Sequence, residues 1–151
     1  MTGAAVASDW AAIEEIPAEK LTAGQKLYLH HGFPGIRGEV AAGLPGVMEN
    51  ALPAFRDGLK KGRSRNDAGS VALLHLIARD TDTNMMARGG VELAHEAAEK
   101  AAGLLKTKPL PDMADIAALD DWFIQKNLSP GGCADLLAVT YFLHDWAESE
   151  Q

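Results

Sequence analysis

Helical periodicity runs through this 151-residue chain and breaks only where glycine and proline gather. Alternating β-branched residues are absent and no Asn-Gly pair marks a hairpin, so the pattern points to an all-α fold. Ser8-Asp9 opens a short helix that Pro17 stops. Thr22 caps a second, over residues 23–31, which Gly32 closes. Residues 33–46 hold Pro34, Gly35, Gly38, Gly43, Pro45 and Gly46, leaving room for only a short turn of helix around Glu39-Val40-Ala41. Helix resumes over residues 47–60, with a kink or break at Pro53. Asn66 or Asp67 starts the next, through residue 78. Another covers residues 83–105 and carries Ala94, Ala97, Ala98, Ala101 and Ala102, a small-residue stripe that predicts a closely packed face. Residues 106–111 form a loop, Asp112 or Asp115 opens a helix to residue 127, and the Gly131-Gly132 turn leads into the last. The expectation is a single-domain, all-α helical bundle of about six to seven helices with glycine-rich loops.

Composition narrows the functional classes. Hydrophobic residues at 47% and charged residues at 23% are enough to bury a core while keeping a charged surface. A net charge of −7 argues against nonspecific binding to nucleic acid, which depends on basic surface. No apolar run approaches the ~18 residues of a membrane span, so no membrane role is expected. Residues 1–8 lack the basic start of a secretory signal, and the single cysteine, Cys133, excludes an intramolecular disulfide; a cytoplasmic location is expected. The basic run of Arg56, Lys60, Lys61, Arg63 and Arg65 reads as a solvated loop, with capture of a polyphosphate as the alternative.

Three segments carry side chains suited to chemistry. In the first, Gly35-Ile36-Arg37-Gly38-Glu39, glycines on both sides let a backbone approach a ligand. Arg37 offers a planar fork of donors for phosphate, and Glu39 a carboxylate; an ordinary surface ion pair between the two is the alternative. In the second, Asp82-Thr83-Asn84 followed by Arg88-Gly89-Gly90, Asp82 and Asn84 are hard oxygen donors of the kind Mg²⁺ takes. Asn84 and Arg88 share a helix face, and two glycines inside a helical stretch imply close approach by a ligand or another helix. The third, Ser129-Pro130-Gly131-Gly132-Cys133-Ala134-Asp135, is a glycine turn opening an apolar helix. Its unpaired N–H groups suit an anion, and Asp135, within the first turn, could hold a metal; a capped structural helix is the alternative. Cys133 is a candidate nucleophile or a small packed side chain. The histidines, His30, His31, His75, His95 and His144, form neither an HExxH nor an i, i+4 pair, which argues against a zinc enzyme. Met85-Met86, Trp10, Trp122 and Trp146 read as packing.

Taken in order, these segments, together with Gly24-Gln25-Lys26-Leu27-Tyr28 and Gly43-Leu44-Pro45, resemble the triphosphoribosyl-dephospho-CoA synthase family. The resemblance covers residues 22–145 and corresponds to the C-terminal half of its members. It divides the chain into an N-terminal helix and lead-in (1–21) and the family-like domain (22–148). Cys133 stands where the family usually has serine, and Ala87 where histidine often precedes Arg-Gly-Gly. The resemblance implies a transferase that joins the ribose C1′ of ATP to the 2′-hydroxyl of 3′-dephospho-CoA with loss of adenine. It implies Glu39, Asp82 and Asp135 as catalytic carboxylates, and Asp82, Asn84 and Asp135 as ligands of Mg²⁺. Arg37, Arg88, Gly89, Gly90, Ser129, Gly131 and Gly132 would bind substrate. A homo-oligomer or a partner subunit would supply the remaining half. A nucleotide- or CoA-binding module without catalysis and a helical interaction protein are the other classes the sequence leaves open.

Overall fold

Thr22 starts the first α-helix in the manner its sequence predicts. Its Oγ1 accepts the Gln25 N–H at 3.3 Å, and Gln25 Oε1 accepts the Thr22 N–H at 2.8 Å, so two otherwise orphaned donors are satisfied reciprocally. This helix, α1 (Ala23–His31), ends at Gly32 in the left-handed conformation. The computed structural model describes residues 12–79 and 81–150; the start of the helix expected from Ser8-Asp9 and the side chain of Trp10 lie outside those residues, and the described part of that helix holds a 3₁₀ turn in place of an α-helix. Before α1 come two short 3₁₀ turns, Ile13–Glu15 and Ala18–Lys20.

Among the described residues eight α-helices follow one another without a strand. After α1 come α2 (Gly35–Ala41), α3 (Leu52–Lys60), α4 (Arg65–Ile77), α5 (Thr83–Gly89), α6 (Val91–Thr107), α7 (Met113–Gln125) and α8 (Gly131–Ser149). Helix α4 is the hub, packing against α3, α6, α7 and α8. Its Val71, Ala72, Leu74 and Leu76 join Phe55 of α3, Met85 of α5, Ala97 and Ala101 of α6, and Leu136 of α8 in one core. Ala94, Ala97, Ala98 and Ala101 are buried as the stripe predicts, while Ala102 is exposed.

Four expectations change. The 83–105 helix is two helices, because Gly90 has φ 86° and ψ 161°, a backbone region open essentially to glycine alone. The break expected at Pro53 is displaced: residues Gly46–Ala51 form a π-helical turn, and Pro53 sits in the first turn of α3, where its missing N–H does no harm. Ser64, rather than Asn66 or Asp67, caps α4, its Oγ accepting the Asp67 N–H at 3.1 Å. The basic run is not a loop. It spans α3, one turn and the start of α4, and its arginines tie elements together. Arg63 donates to the Leu110 and Pro111 carbonyls, and Arg65 clamps Asp145 of α8 with two bonds of 2.8 Å while lying 4.8 Å over the Tyr141 ring. Trp122 is half-buried against Phe123, but Trp146 is largely exposed.

Gly103 lies inside α6 with nothing within 4 Å of where a Cβ would stand. Gly103→Ala should therefore stabilise the protein by about 0.5–1 kcal/mol, the usual helix-interior difference between the two residues. The check is a Tm raised by roughly 1–4 °C in a thermal melt.

Candidate active site

Asp82 fastens two helices at once. As the N-cap of α5 its Oδ1 accepts the N–H groups of Asn84 (2.9 Å) and Met85 (3.1 Å), and its Oδ2 accepts the N–H of Cys133 (2.8 Å) in the first turn of α8. Both helix dipoles present their positive ends to this carboxylate, which is only 2% exposed. Gly132 is what lets the turn come so close: a Cβ there would stand 3.3 Å from the Asp82 carboxylate. A Cβ on Gly131 would stand 2.8 Å from the Asn84 amide.

The second buried carboxylate, Glu39, arrives on α2. It does not pair with Arg37. Its Oε1 takes Nη2 of Arg79 at 2.8 Å, and its Oε2 takes the Gly46 N–H at 2.8 Å. That geometry depends on the chain reversal after α2, where Gly43 and Leu44 both have positive φ (83° and 61°) before Pro45 leads into the π-helical turn. For leucine this is a rarely adopted conformation of the sort found beside functional sites. A Cβ on Gly46 would stand 2.9 Å from Glu39 Oε2 and 3.0 Å from Arg79 Nε. That Nε is buried without a hydrogen-bond partner. Arg79 has no signal in the sequence, since it meets Glu39 across 40 residues.

Glu39, Asp82, Asn84, Gly132 and Asp135 line one cavity of about 100 Å³, with Ile36, Thr81 and Thr83 as further walls. Three segments far apart in the chain thus meet at one place. Asp135, the fifth residue of α8 rather than a first-turn residue, is exposed and makes no hydrogen bond or ion pair among the described residues. Arg37 lines an adjoining cavity of about 150 Å³, which shares Ile36 and Thr83 with the first. Arg88 is exposed one helical turn beyond Asn84, outside the residues that line the carboxylate cavity. Gly89 abuts Leu128, and Gly90 is the joint between α5 and α6, so both have packing and backbone reasons to be glycine. Ser129 faces a third cavity, a trough of about 540 Å³ between α4 and α7.

Cys133 is buried, and its thiol is pushed far up by burial first and then by the Asp82 and Glu39 carboxylates. Its helix-N-terminal position does not make it a nucleophile. Among the described residues no three His, Cys, Asp or Glu side chains gather as a metal-binding group. Asp82, with three N–H donors on its two oxygens, keeps little coordinating capacity of its own.

These features define an all-α protein whose polar cavity joins buried carboxylates, a glycine turn and a neighbouring arginine. The chain belongs to the CitG family, ATP:dephospho-CoA triphosphoribosyl transferase, which it matches over residues 2–151. It is 44% identical over 125 residues to a probable 2-(5''-triphosphoribosyl)-3'-dephosphocoenzyme-A synthase of Photobacterium profundum, covering 81% of this chain and 40% of that one. It is 42% identical over 140 residues to the protein of that name from Vibrio cholerae (88% and 45%). It is also 42% identical over 125 residues to the 2-(5''-triphosphoribosyl)-3'-dephosphocoenzyme-A synthase of Pectobacterium atrosepticum (83% and 41%). The chain therefore spans less than half the length of these relatives. No solved structure matches it.

Asp82→Ala should cost about 2–4 kcal/mol, because it removes the caps of two helices and strands buried N–H donors. Denaturant unfolding would register the loss. The same variant should expose the Cys133 thiol to a labelling reagent that leaves the wild-type protein unmodified under native conditions.

Proposed function

We propose that this chain carries the reacting centre of a triphosphoribosyl transfer from ATP to 3′-dephospho-CoA. The observation that carries this reading is the convergence of Glu39, Asp82, Asn84, Gly132 and Asp135 on one cavity, from the three segments in which the family resemblance lies. In the reaction the 2′-hydroxyl oxygen bonds to the ribose C1′ of ATP and the C1′–N bond to adenine breaks. The hydroxyl proton passes to a protein base, the departing adenine takes up a proton, and the triphosphate stays on the transferred ribose.

Each residue present has a distinct fitness for a part in this. Asp135 is the carboxylate with unclaimed oxygens, so it is assigned as the base that accepts the hydroxyl proton. Glu39, fixed by Arg79 and Gly46, is assigned to oppose the positive charge developing on the ribose. Asp82 shapes the cavity and adds to its negative potential. Arg37, exposed beside the cavity, is assigned to the triphosphate, with Arg88 as a more distant phosphate contact. The Cys133 N–H is given to Asp82 and the Ala134 N–H to Pro130, so Gly131 and Gly132 supply the N–H groups of this turn for a phosphate.

Mg²⁺ is assigned chiefly to the triphosphate, with Asn84 as its protein contact; Asp82, whose oxygens already hold three N–H donors, and Asp135, kept free as the base, would add negative charge nearby. When bound, it would neutralise phosphate charge and fix the tail.

The location assigned is cytoplasmic, supported by a lone, buried, unpaired cysteine; among the described residues no helix is long and apolar enough to cross a membrane. A contact with a second copy or a partner subunit is part of this reading. The exposed Met48, Phe142 and Trp146 side chains support such a contact.

Purified protein given ATP, Mg²⁺ and 3′-dephospho-CoA should release adenine and form the triphosphoribosyl adduct, both seen by chromatography with mass detection. Asp135→Asn should lower the rate at least a hundredfold while leaving Tm unchanged, as expected when a general base is lost from an exposed position. Unaltered turnover in that variant would remove Asp135 from the mechanism.

A further inference from the structure

The trough between α4 and α7 plays no part in the mechanism above. Its volume of about 540 Å³ falls in the range of small-molecule sites. Leu73, Ile77, Ile116, Phe123 and Ile124 give it apolar walls, and Ser70, Asp120 and Ser129 supply isolated polar groups. Ala117 and Ile124 line it while themselves exposed, so the trough opens to solvent.

Its position is the informative feature. Leu128, Ser129 and Pro130 line it, and Gly132 and Cys133 line the carboxylate cavity. Pro130 and Gly132 are two Cα steps apart, less than about 8 Å along the backbone. One short turn therefore lends lining residues to both spaces, the polar cavity and the apolar trough. Gly131, between them, lets the turn pack directly against the Asn84 amide.

We infer that the trough holds the pantetheine arm of the dephospho-CoA substrate. The inference rests on the transferase reading, which requires the ribose of that substrate at the carboxylate cavity. From that ribose a diphosphate leads to a long flexible arm of methylenes and a dimethyl-substituted carbon, broken by two amides and a hydroxyl. With the ribose hydroxyl near Asp135, the diphosphate falls at the Gly131-Gly132 turn and the arm continues past Ser129 into the trough. The alternation matches the walls: apolar stretches against Leu73, Ile77 and Phe123, and amide groups within reach of scattered hydroxyls and Asp120. The arm thus gives dephospho-CoA a contact surface that ATP, which has no such arm, cannot use, and so separates acceptor from donor.

The test is calorimetric titration of 3′-dephospho-CoA and of ADP, which is the same head group without the arm, into the wild-type protein and Ala117→Trp. Wild-type protein should bind dephospho-CoA at least tenfold more tightly than ADP. Ala117→Trp, which fills the trough from an exposed position, should erase that margin with ADP affinity and Tm unchanged. Ile124→Trp, at another exposed wall position, carries the same expectation should the first variant fold poorly. A margin that survives in both variants overturns the assignment, as does wild-type protein that binds both ligands equally. Wild-type protein that binds neither ligand removes the transferase reading and this inference with it. A halved molecular mass in Ala117→Trp with the margin retained would make the trough a contact between copies, and would also overturn it.

Discussion

A buried carboxylate is stable only where the groups around it replace the water it has lost, and Asp82 meets that requirement with three backbone N–H groups from two helices. The arrangement serves both sides. Helices α5 and α8 each begin with donors that have no partner within the helix, and one side chain satisfies some from each. The same bonds fix the distance between the two helix starts, both of which line the polar cavity. Gly131 and Gly132 follow from this: side chains there would push against Asn84 and Asp82 and separate the helices.

The opposite wall is set by a different device. Glu39 is held at one oxygen by Arg79 and at the other by the Gly46 N–H, so its carboxylate is fixed before any ligand arrives. The unusual backbone at Leu44 and the π-helical turn after it are the local means of placing that N–H. Of the three carboxylates at the cavity, two are thus committed to structure as well as charge. Asp135 alone is exposed and without a hydrogen bond or ion pair among the described residues, the basis of the role proposed for it. In the proposed transfer, such a site would offer fixed carboxylates to the developing cation and an unengaged one to the hydroxyl.

The sequence made much of this legible where the cause is local. The Thr22 cap, the Gly32 stop and the alanine stripe of α6 are readable because caps and helix faces depend on residues three or four apart. The helix break at Gly90 was not, since Arg88-Gly89-Gly90 is compatible with either a tightly packed helix or a joint. The π-helical turn escaped because a proline in a helical pattern signals a disturbance without saying on which side of it the irregularity falls. Glu39, Asp82, Asn84 and Asp135 stand out in the sequence as chemical groups, and the fold brings them to one cavity. Their partners were invisible: Arg79 meets Glu39 across 40 residues and the Cys133 N–H meets Asp82 across 51, distances over which no local pattern operates. Arg88, Gly89 and Gly90 share their motif with Asn84 but lie beyond the cavity, because the helix carries them a full turn away.

The central claim is that the cavity closed by Asp82 receives the phosphorylated donor. An amide chemical-shift titration by nuclear magnetic resonance with ATP and Mg²⁺ tests it most directly. The account predicts that the amides of Arg37, Asn84, Gly132 and Cys133 shift together along one saturable curve while that of Gly103, far along α6, stays in place. Shifts concentrated instead on the basic surface of α3, around Arg56 and Lys60, with the cavity amides unmoved, would contradict it.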